Sequence, residues 1–484
     1  MLTGRLVAGV DCSTQATKVV VVDPDSGEVV ATGRSAHTVS GEHGARETDP
    51  RQWWAALREA LAGTGRSSDV GALSVAGQQH GLVVLDEHGE PLRPAMLWND
   101  TRSAPQAAEL IASLGAAGWA DLAGSRPTAS FTVTKWAWLR RHEPATCATT
   151  QAIRLPHDYL TERLTGSGVT DRGDASGTGW WSSATERYAA EILKLPAVDL
   201  GVDLLPTVLG PRDVAGEVSP RIAAELGLPA GAVVGPGTGD NMGASLGLGL
   251  RVGQAAVSLG TSGTVFAVSE RRTGDPSGVV AGFADATGQF LPLACTLNCT
   301  LAIDRVASWL NLDREDVEPS GDVVVLPYLD GERTPDLPAA PATLTGLRHA
   351  TRPGQILMAA YEGAAASLIE GLEAIAAQAG GGDPAAPIVL VGGGAQGRTW
   401  REVVGRLSGR PLLVPDAQEF VALGAAVQAT SAWRGEDAMS VAARWGTARG
   451  MHIDAVPRDD ERLTRIRAVR TAVAEAPALS GTAW

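Results

Sequence analysis

RLVAGVDCSTQATKVVVVD, residues 5–23, reads as a short buried strand, a polar turn and a second, β-branched strand. Asp11 ends the first strand, and the DCST turn at 11–14 is rich in hydroxyls. PDSG then turns the chain into a third strand, EVVATG. The same order returns at GQAAVSLGTSGTVFAVS, 253–269, as a strand, the turn GTSG and a second strand. Each unit opens one half of the chain. The echo divides the protein into two related domains, 1–250 and 251–484, and interleaved strand and helix patterns make both α/β.

Between the two units, DPRQWWAALREALAG opens on an Asp-Pro start signal and places Trp53, Trp54, Leu57 and Leu61 at helical spacing. Further helical patterns fall at 104–114, 133–142, 156–164 and 186–194. In the second half, Ile356, Ala360, Ala364, Leu368, Leu372 and Ile375 form one apolar stripe of a long helix. IVLVGGGAQGRTW, 388–400, then gives a strand, a glycine turn and a helix, and EFVALGAAVQATSAWRG is a helix of small residues.

Composition narrows the function classes. The net charge of −14 argues against nucleic acid and anionic membranes as partners. It leaves an anionic small ligand open, because backbone N–H groups and a divalent ion can hold phosphates without help from net charge. Cys12, Cys147, Cys295 and Cys299 make no C-x-x-C pair, which argues against a zinc site or a disulfide framework. Cys295 and Cys299 share a face if that stretch is helical, and read as buried small residues. The N-terminus lacks a cleavable leader, and no apolar run reaches about 18 residues, so a soluble cytoplasmic protein is expected.

Three turns carry candidate chemistry: DCST at 11–14, GTSGT at 260–264 and GGGAQG at 392–397. None is a P-loop or a dinucleotide fingerprint. Together they suggest a nucleotide held in a cleft between two domains. Asp11 is either a turn-capping residue or a Mg²⁺ ligand, since Mg²⁺ needs only one or two carboxylates beside phosphates and water. Gln79 and His80 follow a buried strand, where loops build sites. Asn99, Asp100 and Arg102 in WNDTR suit a polyhydroxyl ligand. GPGTGDNMGASLGLG, 235–249, sets one acid, Asp240, among small residues. It has four readings: turn residue, helix N-cap, metal ligand, or acceptor for the proton of an attacking hydroxyl.

Two longer stretches give a family likeness. SFTVTKWAWLRRH, 130–142, with Lys135 and Trp138, and LTGLRHATRPGQILMAAYEGAAASL, 344–368, resemble the two signatures of the FGGY carbohydrate kinases. GQQHG, LWNDTR, LPHDYLTERLTG, DASGTGWW, CTLN and LPYLDGERTP resemble motifs of the branch that phosphorylates D-xylulose. The resemblance spans about residues 5–435. It implies two actin-like (ribonuclease H-like) ATPase domains with an interdomain cleft, sugar on the first and nucleotide on the second.

On this resemblance Asp240 is the catalytic base. Gln79, His80, Trp98, Asp100 and Asn241 contact the sugar beside it. Asp11, Ser13, Thr14, Lys18, Gly260, Thr261, Asn298, Gly393, Gly394 and Gln396 face ATP, and Asp11 and Asp240 hold Mg²⁺. The partners implied are D-xylulose and ATP, with a homodimer left open.

Three motifs depart from the family pattern. Ser13 replaces the usual Gly, Gln396-Gly397 replaces Ala-x-Ser, and Thr238 stands where Gly is frequent. Rival readings are a kinase for ribulose, a sugar acid or glycerol, a non-catalytic sugar sensor, and a chaperone-like ATPase. A sensor would have lost the acid or a phosphate turn, and a chaperone would carry a further peptide-binding domain.

Overall fold

A computed structural model describes residues 5–380 and 382–475. The first sheet holds β1 (Leu6–Cys12), β2 (Ala16–Val22), β3 (Val29–Ala36), β4 (Val70–Gly77), β5 (Gly216–Glu217), β6 (Val233–Val234) and β7 (Thr238–Gly239). Its order is β5-β6-β4-β1-β2-β3, with β7 also beside β4. The second sheet holds β8 (Ala255–Leu259), β9 (Gly263–Ala267), β10 (Ala281–Ala284), β11 (Phe290–Thr296), β12 (Ile388–Val391), β13 (Leu412–Pro415) and β14 (Gly450–Ile453). Its order is β10-β11-β9-β8-β12-β13-β14.

The sequence echo is thus an echo in topology. β1 pairs antiparallel with β2 and parallel with β4, and β8 pairs antiparallel with β9 and parallel with β12. β1 and β4 are buried along their whole lengths, as near-continuous apolar runs covered on both faces should be.

Helix α1 (Pro50–Gly63) starts where expected. Asp49 caps it by accepting the Arg51 N–H, and Trp53, Trp54, Leu57 and Leu61 are buried. The pattern at 104–114 belongs to a longer helix, Ala104–Ala123, broken by non-helical backbone at Gly115. The pattern at 186–194 is not a full helix. It becomes a two-residue strand, Arg187–Tyr188, and a single turn, Ala190–Leu193, because Arg187–Tyr188 pairs with Trp181–Ser182. Cys295 and Cys299 do not share a helical face: Cys295 lies in β11 and Cys299 is the residue before α5 (Thr300–Leu310). Among the described residues no helix is long and apolar enough to cross a membrane.

Two small-residue helices seat the GTGDN stretch. These are α4 (Asp240–Gly247) and α7 (Phe420–Arg434), which follows α6 (Pro353–Ala379) in the chain. A Cβ on Gly424 would come within 1.9 Å of the Gly243 carbonyl oxygen, so only glycine lets these backbones meet. Although it comes from the second half of the sequence, α7 packs on α4, β1 and β4.

Candidate active site

The acid of GTGDN reaches its place through strand register. β4 runs parallel to both β1 and β7, with Asp11 opposite Ala76, Thr238 also opposite Ala76, and Gly239 opposite Gly77. The C-terminal ends of three strands therefore deliver Asp11, the Gln78–Gly81 turn and Asp240 to one edge of the sheet. That edge is where open α/β sheets bind ligands. The turn before Asp240 is clamped from two elements. Ser74 Oγ accepts the Gly237 N–H (3.2 Å), and Gln428 of α7 donates to the Gly237 carbonyl (2.8 Å) while accepting from Ser74 (2.7 Å).

Asp240 is the first residue of α4 and not its N-cap. Gly239 holds the cap position, and the carboxylate accepts only the adjacent Asn241 N–H (2.8 Å) and the Asn241 side-chain amide (2.9 Å), both on Oδ1. Oδ2 takes no bond from the described residues and faces the cleft. Burial, with the nearby Asp11 carboxylate adding to it, pushes the Asp240 carboxyl up to about 7.

The cleft beside it has a volume of about 430 Å³. It is lined from the first half by Thr14, Gln79, His80, Trp98, Asn99, Asp240 and Asn241, and from the second by Ser262, Thr264, Cys295 and Arg333 among others. The Asn241 amide also donates to Gln79 Oε1 at 3.0 Å, leaving the buried Gln79 Nε2 without a protein partner. His80 Nδ1 lies 2.7 Å from the Gly177 carbonyl, which can only accept. That fixes the proton on Nδ1 and leaves Nε2 as an acceptor. Burial, with the Lys135 charge, lowers the imidazole to about 3, so it is neutral. Phe131 stacks on the ring at 5.0 Å. Trp98 donates to Thr14 Oγ1 (3.1 Å) and remains 39% exposed at the mouth of the cleft.

The phosphate-turn residues fall in two places. Asp11 is buried, with Oδ1 unpartnered, and burial raises its carboxyl to about 6 against the opposing influence of Ser13 and Lys18. Ser13 closes the first turn through its N–H to the Ala16 carbonyl. Lys18 sits opposite Asp11 on β2 and pairs with Glu419 at 2.6 Å. Gly260 and Thr261 follow β8, and Thr300 of α5 locks the Gly260 carbonyl with both its N–H and its hydroxyl (2.7 Å). Gly393, Gly394 and Gln396 follow the adjacent parallel strand β12, and Gly394 packs on Leu259 and Thr300. The two turns of the second sheet are therefore neighbours, and Ser262 and Thr264 line the same cleft as Thr14.

Two expected contacts are spent elsewhere. Asp100 is fully buried, and both its oxygens are taken by Arg102 and the Arg46 N–H. It holds the WNDTR loop and is not among the residues lining the cleft. Asn298 has all its amide groups engaged by Gly331, Glu332 and Leu329, so it anchors loop 329–334.

A feature unread in the sequence lies behind Asp240. His157 Nε2 is 3.1 Å from Asp158, 3.3 Å from Asp174 and 3.5 Å from Asp171, all buried. Burial alone would lower the imidazole, but the three carboxyls outweigh it and raise it to about 9. The cluster touches the GTGDN turn directly. Thr238 donates to Asp171 at 2.9 Å, and Gly237, at φ 80°, has no room for a Cβ beside His157 Nδ1. LPHDY and TDRGD carry these residues, but nothing in either motif says that they meet.

Asp11 and Asp240 fit a Mg²⁺ site. Asp11 Oδ1 has no protein partner, and the bonds to Asp240 from the described residues fall on Oδ1 and leave Oδ2 free, which suits an ion whose shell phosphates and water complete.

Residues 6–247 match the N-terminal domain of the FGGY family of carbohydrate kinases, and 255–433 match its C-terminal domain. The chain is 60% identical over 469 residues to a xylulose kinase of Streptomyces coelicolor and 58% identical over 468 residues to one of Streptomyces rubiginosus, covering 96% of each partner in both cases. It superposes on the crystal structure of xylulose kinase from Bifidobacterium adolescentis with a TM-score of 0.84 at 38% identity, over 96% of this chain and 99% of that one. With both family domains matched in order around a cleft that holds the half-buried acid, the chain belongs to the FGGY family of carbohydrate kinases.

Proposed function

We propose that the protein transfers the γ-phosphoryl group of ATP to the terminal hydroxyl of D-xylulose, giving D-xylulose 5-phosphate and ADP. The observation that carries this reading is Asp240: a half-buried carboxyl tuned to about 7, with one free oxygen in a cleft shared by sugar-type donors and acceptors and by two hydroxyl-rich turns. Its similarity to xylulose kinases at 58–60% identity supports the choice of sugar.

In this reading the neutral His80 accepts from a sugar hydroxyl, Gln79 Nε2 donates to another, and Asn241, whose amide hydrogens are held by Gln79 and Asp240, accepts from a third through Oδ1. The terminal hydroxyl lies against Asp240 Oδ2. As its oxygen bonds to phosphorus and the bond to ADP breaks, its proton passes to Asp240. Mg²⁺ on Asp11 and Asp240 would neutralise charge on the transferring phosphates. The turn amides at 11–14, 260–264 and 392–397 hold the remaining phosphate oxygens, and Ser13 narrows the first of them. The chain halves 1–250 and 251–484 carry sugar and nucleotide respectively, and the reaction is cytoplasmic.

ADP release measured over a panel of polyols tests the reading. D-xylulose is expected to give the highest kcat/KM. A clear preference for ribulose, a sugar acid or glycerol overturns the substrate, and no turnover with any polyol overturns the activity.

The carboxyl of Asp240 also sets a pH dependence. Its base form is the active one, so kcat/KM for the sugar should rise with pH through about 7 and level off above it. A kcat/KM that stays flat from acid to neutral pH would sink the assignment.

A further inference from the structure

Loop 329–334 is held to the end of β11 at nearly every residue. Glu332, 1% exposed, accepts the N–H groups of Leu297 (2.5 Å) and Arg333 (2.7 Å) and the side-chain amide of Asn298 (3.0 Å). Asn298 in turn holds the Gly331 carbonyl (2.7 Å) and the Leu329 N–H (3.0 Å). Thr334 donates to the Cys295 carbonyl at 2.7 Å. This framework delivers one charged side chain to the cleft, that of Arg333. Among the described residues its guanidinium has neither an ion-pair partner nor a side-chain hydrogen bond.

An arginine cannot shed its charge, and a half-buried guanidinium loses hydration that only an anion restores well. The carboxylate sharing the cleft, Asp240, is not within ion-pair range of it. The sugar is neutral and is already met by neutral groups on the opposite wall. The anion that must pass between the Ser262/Thr264 turn and Asp240 is the phosphoryl group in transit.

We propose that Arg333 is a second catalytic residue, whose guanidinium binds the equatorial oxygens of the transferring phosphoryl group from the second-sheet side of the cleft. The inference rests on the kinase reading above. Arg333 gives up no proton. It balances charge that develops between the attacking sugar oxygen and the departing ADP oxygen, and Asp240 takes the proton. Asn298 and Glu332 are positioning residues that act through it.

The test uses the full chain with D-xylulose and Mg-ATP. Arg333→Ala is expected to lower kcat by about 10²–10³-fold, the effect of removing one donor from an oxyanion site, while the sugar KM and the calorimetric sugar affinity change less than about threefold. Arg333→Lys, which keeps the charge without the fork, should retain more activity than Arg333→Ala. Added guanidinium ion at millimolar level should restore part of the Arg333→Ala rate and none of that of an Asp240→Ala protein. A kcat for Arg333→Ala within about threefold of the native value overturns the proposal, as does a large rise in sugar KM at unchanged kcat, which would place Arg333 on the sugar. If Arg333→Ala does not fold, the Lys and Gln variants decide by the same split of kcat against KM. Failure of the kinase reading itself is separate: it appears as absent polyol turnover in the native protein.

Discussion

Asp240→Asn is expected to cut kcat for sugar phosphorylation by about 10³-fold, within the range that general-base removal produces. The amide preserves the acceptor that Asn241 binds, so α4 and its packing against α7 should stand. Only the free oxygen loses its basicity and its charge. Stability should not fall. Burial and Asp11 raise the carboxyl to about 7, so its ionisation costs the folded state increasingly as pH climbs from the ordinary carboxylate range to neutrality. Replacement removes that cost, and the variant should be at least as stable as the native protein at pH 8. Denaturation midpoints and steady-state kinetics check both arms, with calorimetry confirming that sugar still binds. Turnover near the native rate would remove Asp240 from the chemistry, and a loss of sugar affinity equal to the loss of rate would make it a binding residue.

The second large effect concerns stability. His157→Leu is expected to destabilise the fold by about 3–5 kcal/mol, the usual result of stripping the cation from a buried charge cluster. The loss should grow with pH. Burial already holds the Asp174 carboxyl well above its ordinary value, and burial likewise raises Asp158. Without the imidazolium they can stay buried cheaply only when protonated. The variant therefore loses stability as pH rises above the unfolded carboxylate value toward neutrality.

Asp174→Asn placed on His157→Leu should recover part of the loss, and a double-mutant cycle in urea measures the coupling. A change under about 1 kcal/mol, independent of pH, would show that the cluster carries no net charge compensation. Because Gly237 and Thr238 rest on this cluster, the same variant should also lower kcat while leaving ADP binding in place.

Asp100 and Asn298 are engaged within the protein in ways their spacing does not show. Both are polar, lie in family motifs and sit close to the cleft. Composition says that such residues have partners but not which ones. Arg102 and the Arg46 N–H claim Asp100, and the 329–332 loop claims Asn298, so neither has an atom left for a ligand. The helix expected at 186–194 failed because strand pairing overrode a weak periodic pattern. Arg333 lies within LPYLDGERTP, but its isolation from counter-charges is a property of space and not of spacing.

What the sequence determined by itself is local: the strand–turn–strand units at 5–23 and 253–269, their repetition in two halves, the three glycine and hydroxyl turns, and an acid set among small residues at 240. β-branching, turn chemistry and apolar periodicity act within a few residues, so they are written along the chain. The tertiary structure decided convergence and environment. Parallel register brings Asp11, His80 and Asp240 to one edge. A helix from the second half of the chain clamps the turn before Asp240 through Gln428, and burial moves Asp240 toward neutral pH. These depend on which groups exclude water from which others, and desolvation is a property of the packed volume that no single stretch of sequence contains.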